Sequence, residues 1–524
     1  MWKLSAVLIF ARLAGNQAAA ATCESLINLK LRDTQIVVAQ SIPAGTYKAP
    51  DGQVFPNMPA FCRVAARLTP SSDSDIGMEI WMPASIWNGR FQGVGNGGFA
   101  GAINYSALAP NVQLGYATVS TDTGHTGSPT DASWALGHPQ KIIDFGYRSI
   151  HLMTVIGKRI AYAFYGENPQ HSYFTGCSTG GRQAVMEAQS FASDYDGIVA
   201  GDPVAHYTHH HVGANLWVTW QMFYDPASTV FTTQDTLLGN AVDKACDLLD
   251  GVKDGVLNDP RLCHFDPKKL LCKGSEKPPH CLSEAQVQAV RNIWRGPNDF
   301  MHRPNYYPQF ERGGEADGWP MSISPEPPPA PQTDSHEIMG VGFLRNFVFD
   351  DPNWDYRSFN WATDPAYVNN KIVLGDQSLA AVMNAINPDL SQFQAQGGKL
   401  IQYHGFSDPE VPPLTSIDYF ESVVRFDGSL QQTHESYRLF MVPGMNHCEG
   451  GPGANVFDML TPIVNWVEDD IAPNRIIATH YVNNDPDQGI QFTRPLCSYP
   501  KEAVYKGGDQ NDAKNFACRS WQGN

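Results

Sequence analysis

The chain has 524 residues and a formal net charge of -17, and this length can bury a large core in one or more domains. Hydrophobic residues make up 42% and charged residues 17% of the sequence, which argues against a disordered chain. The acidic balance argues against a nucleic-acid partner, whose phosphates would be repelled.

The first predicted element is a targeting segment at residues 1–21. Lys3 precedes an apolar stretch over residues 4–14, and residues 18–21 are small. This pattern is typical of a secretory signal peptide and is too short to span a bilayer; a buried N-terminal helix is the alternative. Because no later run of about 18 apolar residues follows, we expect a secreted, extracellular protein that makes no membrane contact.

Strands and helices alternate after the targeting segment. Short apolar runs bounded by Gly, Pro or Asn predict strands at 77–83, 90–94, 116–120, 172–174, 197–200, 399–403 and 436–442. Apolar periodicity of three to four residues predicts helices at 144–165, 183–190 and 458–468. This alternation favours an α/β fold with a mostly parallel sheet.

The alternation fades between residues 204 and 395, where His-rich, Cys/Asp-rich and Pro-rich stretches follow one another. We predict that 204–395 forms a lid domain. It would be inserted into a catalytic domain made of residues 22–203 and 396–524.

Residues 176–180, Gly-Cys-Ser-Thr-Gly, fit the G-x-S-x-G pattern between a predicted strand and a predicted helix. In this pattern a sharp turn exposes the serine hydroxyl, and the N–H of the next residue points at the developing oxyanion. We therefore predict Ser178 as nucleophile and Thr179 as one oxyanion donor. Gly97 or Gly98, after the strand at 90–94, would supply the second donor; a glycine-rich turn with an incidental serine is the alternative.

A serine nucleophile needs a base, and the base needs a carboxylate that orients it. Asp408 follows the predicted strand at 399–403, and His447 follows the strand at 436–442. This is the chain order Ser, Asp, His that α/β-hydrolases use. His404 and His434 compete for the role of base, but His404 precedes Asp408 and His434 precedes its strand.

The ten cysteines are an even number, which predicts disulfides in an exported chain. No C-x-x-C pair is present, which argues against zinc. Cys177 adjoins Ser178 and Cys448 adjoins His447, so a catalytic triad would bring the two cysteines together. A disulfide between them would close a loop of about 270 residues; two buried free thiols are the alternative.

Three further patterns carry weaker predictions. The sequon at Asn104 permits N-glycosylation. Glycines at 93, 95 and 98 match a dinucleotide fingerprint, but residues 104–110 are predicted as a loop and not the required helix. The histidines at 206, 209, 210 and 211 are predicted to lie in solvent or on the lid surface, because consecutive histidines cannot easily face one ion.

The segment from Cys246 to Val256 contains three carboxylates at short spacing, with glycines between them. Calcium prefers carboxylate and carbonyl oxygens on a flexible loop. The spacing is not that of an EF-hand, and a solvated acidic turn is the alternative. The candidate ligands are the side chains of Asp247, Asp250 and Asp254 and the backbone carbonyls of Val252 and Val256.

Three of these signatures together resemble the tannase and feruloyl esterase family of secreted, mainly fungal enzymes. The first is residues 176–181 followed by Arg182-Gln183, and the second is the set Cys177-Ser178, Asp408 and His447-Cys448. The third is the run from Cys246 to Pro260, and similar stretches at 95–98 and 196–201 extend the resemblance over most of the chain.

The resemblance implies an α/β-hydrolase fold with a large inserted lid and a structural Ca²⁺ on the acidic loop. It implies a carboxylic ester hydrolase that releases ferulic, caffeic or p-coumaric acid from plant cell-wall or soluble phenolic esters. The alternatives are a tannase acting on galloyl esters and, outside the enzymes, a calcium-dependent polysaccharide-binding protein. The implied disulfides are Cys23–Cys62, Cys177–Cys448, Cys246–Cys263, Cys272–Cys281 and Cys497–Cys518.

Overall fold

A computed structural model describes residues 21–297, 306–330 and 333–520 of the chain. The predicted signal peptide lies outside these residues, except for Ala21. In the described ranges, no helix combines the length and the apolar character that a bilayer crossing requires.

The strands, in chain order, are β1 Thr34–Ile42, β2 Gly45–Lys48, β3 Val54–Met58, β4 Phe61–Leu68, β5 Ile76–Pro83, β6 Arg90–Val94, β7 Ala117–Thr121, β8 His171–Cys177, β9 Gly197–Gly201, β10 Ile372–Leu374, β11 Gln377–Ser378, β12 Lys399–Gly405, β13 Tyr437–Val442, β14 Arg475–Tyr481, β15 Ile490–Cys497, β16 Lys501–Tyr505 and β17 Phe516–Ser520. The α-helices are α1 Tyr105–Gln113, α2 Pro139–Ile143, α3 Ser149–Tyr165, α4 Thr179–Ser190, α5 Tyr207–His210, α6 Trp217–Phe223, α7 Thr232–Cys246, α8 Glu284–Ile293, α9 Trp319–Ser322, α10 Ser335–Phe343, α11 Asp364–Asn370, α12 Leu379–Met383, α13 Ser391–Ala395, α14 Leu414–Asp427, α15 Leu430–Thr433 and α16 Leu460–Asp469.

Within the described residues, nine strands form one sheet in the order β1-β4-β5-β7-β6-β8-β9-β12-β13. The strands from β7 to β13 in this order pair in parallel, whereas β1, β4, β5 and β7 pair antiparallel. The strands β7, β9 and β13 are buried along their whole length, as expected when helices cover both faces of a parallel sheet. The predicted α/β-hydrolase fold is confirmed.

The segment between β9 and β12 consists of helices, loops and the small hairpin of β10 and β11, and its described part adds no strand to the large sheet. Its apolar residues, including Trp217, Val290 and Phe343, form one buried cluster with Phe99 and Phe145 of the preceding segment. The helical segment is therefore packed onto the part of the molecule that carries the sheet. The limits predicted for a lid domain, 204 and 395, stay a prediction.

The predicted loop at residues 104–110 is wrong, because helix α1 begins at Tyr105. The Asn104 side chain accepts a hydrogen bond from the N–H of Ala107 and so caps the helix. Leu108 and Val112 are buried on one face, and Pro110 is exposed within the helix. The proline is tolerated because the carbonyl that its missing N–H leaves free belongs to exposed Ser106, where water can reach it.

All ten cysteines form disulfides. The pairing is the one that the resemblance implies: Cys23–Cys62, Cys177–Cys448, Cys246–Cys263, Cys272–Cys281 and Cys497–Cys518.

Candidate active site

Ser178 occupies a sharp turn between β8 and α4. Its backbone φ of +63° lies in a region that residues other than glycine rarely adopt. Such a conformation persists only where the surroundings fix it. Here the N–H of Ser178 donates to the carbonyl of Gly201 at 3.0 Å, and the Ser178 carbonyl accepts from the N–H of Arg182 at 3.0 Å. A Cβ atom at position 176 would lie 2.5 Å from the Gly180 carbonyl oxygen, which explains the glycine there.

The loop at residues 95–98 lies against the first turn of α4. The N–H of Asn96 donates to Gln183 Oε1 at 3.1 Å, and Thr179 Oγ1 donates to the carbonyl of Gly98 at 2.7 Å. The Asn96 side-chain amide also donates to the carbonyl of Thr121 at 2.8 Å. These bonds fix the loop of Gly97 and Gly98 beside the serine, and the oxyanion role of their N–H groups and that of Thr179 stays a prediction.

Asp408 and His447 are hydrogen-bonded to each other at the carboxyl ends of the neighbouring strands β12 and β13. His447 Nδ1 donates to Asp408 Oδ2 at 2.7 Å. The other oxygen of Asp408 accepts from the N–H groups of Glu410 at 2.8 Å and Val411 at 2.9 Å. The imidazole is thereby oriented by a buried carboxylate that is itself fixed.

Charge interactions, and not burial, decide the protonation of this pair. Burial alone would raise the pKa of Asp408, but the charge of His447 and hydrogen bonds from His404 and His447 hold the pKa well below its ordinary value. Burial alone would lower the pKa of His447, but the negative charges of Asp408 and Glu410 raise it above its ordinary value. Asp408 is therefore ionised and stabilises a positive charge on His447.

Each of the two competing histidines has a ring nitrogen within hydrogen-bond distance of another group. His404 is fully buried, with Nδ1 2.6 Å from Ser416 Oγ and Nε2 3.0 Å from the carbonyl of Val411 and 3.2 Å from Asp408. His434 lies 3.1 Å from the carbonyl of Tyr499. His447 Nε2, in contrast, has no hydrogen-bond partner among the described residues, and His447 and Ser178 line the same cleft.

Asp202, which sequence reasoning missed, connects three loops of the site. It is fully buried at the carboxyl end of β9, and its oxygens accept from the N–H groups of Gly405 at 2.7 Å and Cys448 at 3.1 Å. Burial raises the pKa of Asp202 to about 6, although the charge of His404 opposes the shift. A position shortly after a buried strand, which indicated Asp408, is the signal that could have indicated Asp202.

Two cavities meet at Ser178. The larger is a cleft of about 630 Å³ that Gly97, His447 and Cys448 also line. The smaller, of about 180 Å³, extends between Thr179 and the helical segment after β9. The residues that line both cavities are Gly98, Pro129, Ser178 and Glu410. A serine at such a junction can reach an ester whose two halves occupy different cavities.

The predicted surface location of the four clustered histidines is wrong for His210 and His211. Both are buried and line the smaller cavity together with Tyr207, whereas His206 and His209 are half-buried. The chain is helical here, so residues 207 and 211 share one face, which is turned toward the serine. Burial lowers the pKa of His210 to about 3 and that of His211 well below its ordinary value, so both are neutral.

Asn104 lies in the larger cleft and is half-buried. Its side-chain nitrogen donates to the carbonyl of Gly95 at 3.0 Å. The predicted glycosylation conflicts with this position, because a glycan on that nitrogen would stand inside the cleft.

The acidic loop is bracketed by the Cys246–Cys263 disulfide, and its carboxylates accept hydrogen bonds from backbone N–H groups of the same loop. Burial and the charges of Asp254 and Asp247 raise the pKa of Asp250 to about 6. The oxygen atoms of these crowded carboxylates are the kind of ligand that a hard cation prefers. In the described part of the chain, however, two groups of three side chains bring possible ligand atoms within 4.8 Å of one another, and neither includes this loop.

The chain is similar to known proteins along most of its length. The model of the family described as tannase and feruloyl esterase matches residues 62–519. An uncharacterized esterase of Xanthomonas campestris pv. campestris is 41% identical, over 96% of this chain and 92% of its own. A probable feruloyl esterase B-2 of Aspergillus terreus is 32% identical over 97% of each chain. The crystal structure of feruloyl esterase B from Aspergillus oryzae is 30% identical, covers 95% of this chain and 99% of its own, and superimposes with a TM-score of 0.84.

Proposed function

This chain belongs to the tannase and feruloyl esterase family and is a carboxylic ester hydrolase, and we propose that it releases hydroxycinnamic acids from plant phenolic esters. The observation that carries the proposal is the place of Ser178 at the junction of two cavities, in one cleft with the hydrogen-bonded pair of His447 and Asp408. The five disulfides further support our proposal that the protein is exported.

The reaction we propose is a two-step acyl transfer. His447 Nε2 takes the proton of Ser178, whose oxygen attacks the ester carbonyl. The N–H groups of Thr179 and of Gly97 or Gly98 stabilise the oxyanion. The protonated His447, stabilised by Asp408, then gives its proton to the departing alcohol. In the second step His447 takes a proton from water, the water oxygen attacks the acyl-enzyme, and His447 returns the proton to the Ser178 oxygen as the acid leaves.

The second candidate substrates are galloyl esters. The observation in their favour is the polar lining of the smaller cavity, where side chains such as Tyr207, His210 and Asn215 offer partners for ring hydroxyls. Hydroxycinnamoyl groups carry fewer ring hydroxyls and a propenoyl spacer, so relative rates on the two kinds of ester separate the candidates.

The test compares kcat/KM of the purified protein on methyl ferulate, methyl caffeate and methyl gallate. We expect the cinnamates to be preferred, and Ser178→Ala to lower kcat by about 10⁴-fold or more while the protein stays folded. Ser190→Ala, an exposed serine at the far end of α4, is the matched control. A preference for gallate identifies a tannase, and turnover retained in Ser178→Ala refutes the assignment of the nucleophile.

We also propose that the acidic loop binds a structural Ca²⁺ through the side chains of Asp247, Asp250 and Asp254 and the carbonyls of Val252 and Val256. The ion would neutralise the crowded carboxylates and hold the loop closed. Added Ca²⁺ should therefore raise the thermal unfolding midpoint, a chelator should lower it, and Asp250→Asn should abolish the Ca²⁺ response. The exposed Asp376→Asn is the control, and a midpoint insensitive to Ca²⁺ and chelator contradicts the proposal.

A further inference from the structure

Glu410 places a carboxylate beside the reacting groups. Its Oε2 lies 3.6 Å from His447 Nε2, and its Oε1 accepts a hydrogen bond from Ser322 Oγ at 2.9 Å. The side chain is 37% exposed and lines both cavities next to Ser178. Any ester that reaches the serine therefore passes close to this negative charge.

The rest of the cavity lining offers no fixed positive charge to offset Glu410. Among the described residues that line the two cavities, Glu410 carries the one carboxylate, and none is a lysine or an arginine. The buried histidines of the smaller cavity are neutral, because burial lowers the pKa of His210, His211 and His336. Only His447 becomes positively charged, and Asp408 already compensates that charge.

We propose that Glu410 is a specificity-determining residue that makes this enzyme select uncharged esters and reject esters whose alcohol or acyl part carries a carboxylate. Two negative charges a few ångströms apart repel each other strongly in a site that is partly closed to water. Hydroxyl groups of a neutral alcohol, such as a sugar, can instead donate to the Glu410 carboxylate. The proposal rests on the proposed function, in which Ser178 attacks the ester.

A matched pair of esters isolates the charge. Caffeoyl quinate and its methyl ester have the same acyl group and the same alcohol ring, and they differ in one carboxylate, which is ionised at pH 7. We expect the wild type to have a kcat/KM on the order of tenfold higher for the methyl ester. Glu410→Gln should bring this ratio close to one, because the amide keeps the shape and removes the charge.

The control variant is Glu435→Gln. It removes an exposed carboxylate near the amino end of β13, whereas His447 follows the carboxyl end of the same strand. It should leave the ratio at its wild-type value. A second measurement needs no variant: added salt screens charges, so in the wild type it should raise kcat/KM for the anionic ester more than for the methyl ester.

The outcomes separate this proposal from the proposed function. Turnover of the methyl ester with a wild-type ratio near one, a ratio unchanged in Glu410→Gln, or equal salt effects on both esters overturns the role of Glu410 and leaves the esterase intact. No turnover of either ester by the folded wild type overturns both.

Discussion

Asp202 shows how one buried carboxylate can position the base without touching the substrate. Its oxygens hold the N–H of Gly405, at the end of β12, and the N–H of Cys448, next to His447. It also lies 3.7 Å from His404 Nε2, and the groups that face it are His404, Asp408, His447 and the phenol of Tyr403. Asp202 therefore fixes the base loop relative to the sheet and adds negative charge near the imidazole.

We expect Asp202→Asn to lower kcat and to shift the acid limb of the pH dependence of kcat/KM to lower pH. The charge of Asp202 contributes to raising the pKa of His447, so its removal makes the imidazolium less stable and the neutral base available at lower pH. The measurement is the pH profile on methyl ferulate, with Asp235→Asn, a buried carboxylate outside both cavity linings, as control. An unmoved acid limb in a folded Asp202→Asn would show that the residue acts on packing alone.

Sequence patterns indicated the parallel strands well, because these strands are short apolar runs between chain breakers and are buried on both faces. β9 and β13 are examples: the end of β13 indicated His447, whereas Asp202, directly after β9, was not singled out although the same rule applies to it. β1 was not indicated, because it is an edge strand in which two of the nine residues are buried. Its antiparallel partner β4 was not indicated either. The helix α1 was missed because Pro110 lies inside it.

The candidate triad follows from residues close to strand ends, whereas the smaller cavity does not follow from any local pattern. Its walls come from residues 204–215 and 335–339, which packing brings to Ser178 from distant parts of the chain. His336 illustrates this: its Nε2 lies 2.8 Å from the carbonyl of Pro409, next to Asp408, and no spacing rule connects the two. The triad residues can therefore be predicted from the sequence, whereas the residues that face the substrate can be identified only from the folded structure.

Buried ionisable groups make the stability of the folded protein depend on pH in two opposite directions. The folded state lowers the pKa of His206 and His210 to about 3 through burial, below the ordinary value of about 6.5. Their contribution to the free energy of unfolding is complete above pH 6.5 and is lost as the pH falls toward the folded-state pKa. Burial raises the pKa of Asp235 to about 8 and that of Glu315 to about 7. Their contribution is present below about pH 4 and is lost as the pH rises through the folded-state pKa.

Asp235 allows this pH dependence to be tested, because the folded state requires its buried carboxyl group to be protonated. Its Oδ1 accepts a hydrogen bond from Ser324 Oγ at 2.8 Å, and its Oδ2 has no partner among the described residues. In Asp235→Asn the amide oxygen can keep the bond to Ser324 and no proton is needed, so the variant should be more stable than the wild type at pH 8. The advantage should shrink as the pH falls and be nearly lost at pH 4, where the wild-type carboxyl is protonated in the folded state and about half protonated in the unfolded state. Thermal unfolding midpoints at pH 4, 6 and 8 measure the difference, with the exposed Asp376→Asn as control. A difference that stays constant across this range would mean that Asp235 is ionised in the fold, with its charge compensated.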